Sequence, residues 1–508
     1  MTSATFLLVT AALLLARLAI ALNFDLFPDE ALYAWLAERA LLSFTPHPPG
    51  IPLLVRAGTF LLGKTELGVR VFPMLLTTLM PVPLYLLARD IGGRRVALWS
   101  VIAAAAVPSY FAFGVVTTPD GTQLFFWTLA LYFTFKALET WRLSWWALAG
   151  MTVGIGLYIK YIIVLYYPSL LLCLLLSPTW RAHLRSRGPY LSLAVAFLVF
   201  APAAMGHEYA THFSATRYHL SERQTLQPPS VSGIVIYQLL HAGYLSPLLY
   251  CGLLAAMVWA GINGVRKKDD RLLFLFCFSA VMFVFFLLIA AVTKRVLNRE
   301  HWDAPAYVAA LVAAVMMQTA SPQRKGRRVY AGLALALGFV TSAVYVFEGA
   351  TGLGSRLMGS RPPFAKLLGW RAMAAEVDKL MPGDALFLGE TFPCALAYAF
   401  YGRQTKRVYT LDREYSAKYG LVGVLNSIDA SQGLAHERGR DAIYVAEVNS
   451  PSHGSLPNPL ITRTRALRQA FAAVEQVRPI PVRRYRREVK WFYVLRCRNL
   501  RTTLPLSP

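Results

Sequence analysis

Long apolar runs separated by short polar ones fill the chain as far as residue 347, after which the pattern changes period. Runs of roughly 17 to 25 apolar residues, the length a helix needs to cross the hydrocarbon core, cover 5–22, 67–88, 96–116, 122–138, 145–159, 162–176, 190–205, 234–262, 272–292, 304–319 and 329–347. The pattern predicts a polytopic α-helical membrane protein with about 11 transmembrane helices. Three parts follow: a membrane domain over 1–348 with a large first outward loop at 23–66, a Gly- and Pro-containing linker at 349–363, and a C-terminal α/β domain at 364–508. In the last part, helical periodicity at 364–380, 395–401 and 462–473 alternates with short apolar runs at 385–389, 408–411, 442–446 and 491–495 that read as strands. That alternation favours a small α/β fold.

The stretch directly after the first apolar run is too short and too polar to span. Pro28 opens a helix over 29–42, and Asp29 and Glu30 fall in its first turn, where negative charge suits the helix dipole. Leu32, Trp35 and Leu36 share one face, the pattern of a helix lying in the membrane interface. Capping explains one acid readily; two at the mouth of a span also suit hydroxyl chemistry, because an ionised carboxylate there can accept a proton from an incoming acceptor.

Basic residues set the orientation. Arg89, Arg94 and Arg95; Arg142; Arg181, Arg185 and Arg187; Arg266, Lys267, Lys268 and Arg271; and Arg324, Lys325, Arg327 and Arg328 fall in alternate loops, which marks those loops as cytoplasmic. The first loop, the Asp120 loop, 206–232 and the chain after 347 therefore face outward. No small-residue cleavage site follows Leu22, so the first run reads as a retained span. The net charge of +24 is accounted for by cytoplasmic loops facing anionic lipid and by a basic C-terminal part, and does not call for nucleic acid. Among the 5 cysteines there is no metal spacing; Cys394 and Cys497 share the C-terminal part and would pair only if they meet.

Outward loops carry the candidate chemistry. They are Pro28-Asp29-Glu30, His47-Pro48-Pro49-Gly50, Thr117-Thr118-Pro119-Asp120-Gly121, Lys160-Tyr161 at a span end, and Arg299-Glu300-His301-Trp302-Asp303-Ala304-Pro305-Ala306-Tyr307. The last of these follows Lys294 and Arg295 and breaks the charge rule, since basic residues are sparse on outward loops; an anionic ligand accounts for it, as does pairing with headgroups or with Glu300 and Asp303. For each polar residue a plainer role stands beside the chemical one. Asp120 after Pro119 is suited to a turn, Lys160 to snorkelling, His47 to an extended turn before two prolines, and Trp302 and Tyr307 to an aromatic belt.

In this order the motifs resemble the family 39 glycosyltransferases, polyprenyl-phosphate-sugar-dependent enzymes of the GT-C class that include protein O-mannosyltransferases and the lipid A aminoarabinose transferase. The resemblance covers roughly residues 23–310. It implies an inverting membrane glycosyltransferase at the periplasmic face of the bacterial inner membrane, taking a polyprenyl-phosphate-linked sugar and passing it to lipid A, another envelope glycolipid or a protein hydroxyl. Asp29 is then the expected base, with Glu30 and Asp120 as further catalytic acids. His47, Lys160, Lys294, Arg295, Arg299, His301 and Tyr307 are the expected ligands of lipid phosphate and sugar. Many relatives carry an acid before the His-Pro-Pro element, where this chain has Pro46; a metal using that acid is in doubt, and none is expected to be required. The rival reading is a transporter or flippase of lipid-linked sugars, which is expected to place charges near the bilayer midplane rather than at one face.

Overall fold

The computed structural model describes residues 3–39, 48–210, 213, 227–293, 301–320, 325–353, 364–403, 407–412, 434–448, 458–484 and 487–502. Its chain divides into two compact units. One holds Met1–Ala21, His47–Leu54 and Arg70–Tyr345, and the other holds Leu22–Pro46, Val55–Val69 and Val346–Pro508.

The first unit is helical. In chain order the helices that build it are α1 (Ser3–Asn23), with α2 (Pro28–Glu38) next in sequence but in the other unit, then α3 (Gly50–Leu62), α4 (Glu66–Leu79), α5 (Pro81–Ala105), α6 (Pro108–Ala112), α7 (Pro119–Thr140), α8 (Leu143–Ile159), α9 (Tyr166–Leu176), α10 (Gly188–Ala210), α11 (Val231–Leu245), α12 (Pro247–Lys267), α13 (Asp270–Val292), α14 (Ala306–Thr319) and α15 (Lys325–Thr351). The unit boundaries fall inside α1, α3, α4 and α15. Pro28, Pro81, Pro119 and Pro247 each stand in the first turn of a helix, where the missing N–H costs nothing. Among the described residues, 5 helices are long and apolar enough to cross a membrane, or up to 6 when a bent pair counts as one, with shorter apolar helices beside them. This is a polytopic helical membrane architecture.

Most helices fall where the apolar runs predict, with two informative differences. The run at 234–262 is two helices, broken at Ser246, whose φ is 79°. The next residue is Pro247, which removes an amide donor and drives its predecessor out of the helical region. The basic stretch around Arg94, expected as a loop, lies within α5, where the helix breaks at Gly93. At the centre of the unit, Trp127, Phe135, Tyr166, Phe274 and Phe278 are buried to 2% exposure or less, and their rings meet edge-on or tilted. Inside a bilayer such packing, rather than escape from water, holds helices together.

The second unit contains a mixed sheet. Its elements are α16 (Trp370–Leu380), β1 (Leu386–Gly389), α17 (Phe392–Tyr401), β2 (Val408–Thr410), β3 (Ala442–Val448), α18 (Asn458–Ala470), β4 (Phe471–Arg484) and β5 (Arg487–Leu500). The strand order is β2-β1-β3-β5-β4. β1 is parallel to β2 and β3, and β5 is antiparallel to β3 and β4. α17 is the crossover from β1 to β2, and Tyr398 stacks on Phe387 with ring centroids 4.0 Å apart. β4 replaces the end of the helix expected at 462–473. It carries Pro479 and Pro481 and lies at the sheet edge, the place in a sheet where proline is tolerated. Cys394 and Cys497 are both buried free thiols.

The helix expected in the membrane interface is packed inside this unit. Leu32, Trp35 and Leu36 of α2 are 1%, 6% and 0% exposed. A face apolar enough for the headgroup region is also apolar enough for a protein core, and here protein covers it.

Candidate active site

The candidate residues of the first unit meet around one carboxylate. Thr118 is extended, Pro119 starts α7, and Asp120 occupies its first turn, where the helix dipole favours an anion. Asp120 is 7% exposed. Lys160, in an extended conformation just past the end of α8, places Nζ 2.6 Å from Asp120 Oδ1. His301 brings Nε2 to 3.9 Å from the other oxygen, Oδ2. The Lys160 ammonium also lies 5.7 Å from the centre of the Trp302 ring. The carboxylate is a preorganised acceptor for sugar hydroxyls in a water-poor setting, and the ammonium and imidazole beside it are the groups suited to a phosphate.

Two glycines of the motifs account for this approach. A Cβ on Gly121 would stand 2.6 Å from the Phe113 carbonyl oxygen and 2.7 Å from Thr77 Oγ1, so only glycine lets the start of α7 press against its neighbours. A Cβ on Gly50 would collide with the Tyr158 carbonyl and reach 2.6 Å from Ile159 Cδ1, which ties the start of α3 to the end of α8 that presents Lys160.

Asp303, two residues after His301, centres a polar group in which the motif reading placed Tyr307 but not His241 or Tyr237. Asp303 is fully buried. Its Oδ1 is 2.9 Å from His241 Nε2, and its Oδ2 accepts hydrogen bonds from Tyr237 at 3.0 Å and Tyr307 at 2.9 Å. His241 Nδ1 is 2.9 Å from the Tyr237 carbonyl; a carbonyl only accepts, so this nitrogen is the donor. The Tyr110 hydroxyl donates to the Ala304 carbonyl at 2.8 Å. These contacts fix the turn 301–305 that carries His301 and Trp302. Tyr307 therefore has its hydroxyl on Asp303 rather than on the Asp120 group. The signal for His241 was an ionisable residue inside an apolar helix, which is costly without a partner.

In the second unit, Asp29 is half-buried and follows Pro28 in the first turn of α2. Glu30 is fully buried and accepts the Phe27 N–H at 2.7 Å, capping its own helix. His47, Lys294, Arg295 and Arg299 lie outside the described residues. No group of three or more His, Cys, Asp or Glu side chains able to hold a metal occurs among the described residues.

Comparison with known proteins agrees with the motif resemblance. Residues 46–205 match the family model for dolichyl-phosphate-mannose-protein mannosyltransferase. The chain is 27% identical over 306 residues to the lipid A galacturonosyltransferase RgtD of Rhizobium johnstonii, a match covering 58% of this chain and 62% of that protein's length. In fold it is similar to ArnT from Cupriavidus metallidurans bound to undecaprenyl phosphate, with TM-score 0.66, 16% identity and 97% and 98% of the two chains covered. It is also similar to the archaeal oligosaccharyltransferase AglB from Archaeoglobus fulgidus, with TM-score 0.54, 12% identity and 87% and 69% covered. Motif, sequence and fold thus point to one set of proteins: the chain is similar to membrane glycosyltransferases, ArnT and the O-mannosyltransferases among them.

Proposed function

We propose that this chain is an inverting glycosyltransferase of the bacterial inner membrane that moves a sugar from a polyprenyl-phosphate carrier to lipid A at the periplasmic face. The observation that carries the reading is Asp120 held between Lys160 and His301, in a fold similar to a protein solved with undecaprenyl phosphate. The RgtD match supports lipid A as acceptor and galacturonic acid as the first sugar to try.

In the proposed step, Asp29 removes the proton from an acceptor hydroxyl. The resulting oxygen attacks the anomeric carbon from the side opposite the phosphate; the carbon–oxygen bond to phosphate breaks, and the prenyl phosphate leaves with the electron pair. Lys160 and His301, with His47, Arg299, Lys294 and Arg295, supply positive charge for the departing phosphate. Asp120 orients sugar hydroxyls and offsets charge developing at the anomeric carbon. Glu30 holds the first turn of α2, and Tyr307 acts through Asp303. Cationic side chains do the work that a metal does elsewhere, so the step needs no obligatory metal.

Mass spectrometry of envelope lipids from cells with and without the chain tests this. Loss of one sugar increment from lipid A in the deletion supports the proposal and gives the sugar. An unchanged lipid A with a sugar missing from envelope protein or from another glycolipid moves the acceptor, and no change in any glycoconjugate overturns the transferase reading.

A further inference from the structure

The acid-bearing helix α2 is held by the C-terminal part of its own unit through contacts that apolar packing alone does not require. α16 begins after Gly369, which has no side chain with which to cap it. The cap comes from far away in sequence: Asp25 Oδ2 accepts the Trp370 N–H at 2.8 Å and the Arg371 N–H at 3.4 Å. These are the first amides of α16, which have no partner within the helix. A carboxylate there also meets the positive end of the dipole. The Arg371 guanidinium returns the contact, lying 3.9 Å from Asp25 Oδ1 and bonding to Glu66.

The backbone leading into α2 is fixed at the same place. Asp25 N–H donates to the Leu367 carbonyl at 3.1 Å, and Leu26 N–H donates to the Tyr401 hydroxyl at 2.8 Å. At the other end of α2, Glu38 pairs with Lys64 at 2.7 Å. Lys64 in turn donates to the Ala399 carbonyl in the last turn of α17 at 3.1 Å, where a cation suits the dipole. Between these ends, residues 30–37 are buried.

We infer that the C-terminal α/β part is a positioning device for the reaction: its helices α16 and α17 clamp both ends of α2 and so set where the Asp29 carboxylate stands. Asp25 and Tyr401 are positioning residues of this clamp. The inference rests on the reading of Asp29 as base, and adds to it a task for the C-terminal part.

The test uses the full-length protein with two readouts, backbone amide exchange over residues 29–36 and transfer kinetics with undecaprenyl-phosphate-linked galacturonic acid as donor and lipid A as acceptor. Asparagine caps a helix as well as aspartate, whereas alanine does not. Asp25→Ala is therefore expected to speed exchange in α2 and to lower kcat by about five- to tenfold, with the donor KM within about twofold. Asp25→Asn is expected to restore both readouts. Unchanged exchange in α2, faster exchange with unchanged kcat, or an Asn variant no better than Ala would overturn the clamp. If Asp25→Ala does not fold, Tyr401→Phe, which removes only the hydroxyl bonded to Leu26, is judged by the same two readouts. The ideas fail separately: a wild type inactive with this donor and acceptor refutes the substrate assignment, a fully active Asp29→Asn variant refutes the base assignment, and exchange in α2 still reports the clamp.

Discussion

Asp303 shows how much depends on one buried carboxylate. It serves two tyrosine hydroxyls and an imidazole whose other nitrogen already faces a carbonyl. An asparagine can take its place, donating N–H to a neutral His241 and accepting from both tyrosines. Alanine removes the acceptor altogether, at a cost of about 1–3 kcal/mol for each buried group that loses it. Thermal unfolding of the purified protein is expected to show Asp303→Ala melting several degrees below wild type and Asp303→Asn close to it; equal losses would show that the charge, not the hydrogen-bonding pattern, is what matters. At this scale the sequence was legible where a residue's place in a motif matched its place in space. Asp120, Lys160 and His301 were read from separate outward loops and do meet. His241 went unassigned because its partner is 62 residues away and no local pattern marks the pair. Tyr307 was seen in its motif, but its direction depends on which side of α14 faces Asp303, which the motif does not encode.

α2 is the element on which expectation and structure differ most usefully. Its apolar face predicted a helix in the membrane interface, and the structure buries that face in protein, with Leu36 fully covered. The two situations differ in energy. At a lipid interface Leu36→Ala loses little, whereas in a packed core it costs about 2–5 kcal/mol. Denaturation of the second unit, followed by the fluorescence of the buried Trp35 and Trp370, is expected to show the larger loss; a shift within error would return α2 to the interface. Elements with a strong single period were readable, as the apolar helices show. β4 was not, because Pro479 and Pro481 mask a strand pattern unless the strand is known to lie at an edge. The break at Ser246 was readable in principle from Pro247, but the surrounding run of apolar residues outweighed it.

For the molecule as a whole, composition revealed the membrane class at once, since 56% hydrophobic residues in long runs leave few other folds open. The division into compact units was less visible. The change of period near residue 347 marks where the sheet-containing part begins, but the second unit also takes in Leu22–Pro46 and Val55–Val69. The bond from Trp370 to Asp25 spans 345 positions, and such contacts leave no trace in local periodicity. The cysteines follow the same logic. Cys394 and Cys497 share the second unit, yet both are free and buried, and burial pushes each thiol up to about 12. The thiolate is the reactive form, so neither residue is expected to react with iodoacetamide at neutral pH in the native protein, while both react after unfolding without reductant. Labelling of the folded protein, or a requirement for reductant, would contradict this arrangement.

The central claim is that Asp29 takes the acceptor proton, and direct comparison of wild type with Asp29→Asn in a purified transfer assay tests it most sharply. Asparagine keeps the size and shape of the side chain but cannot serve as base. The account predicts a kcat lower by about a hundredfold or more, with unchanged melting and donor KM within about twofold. Transfer at the wild-type rate by the Asn variant would contradict it.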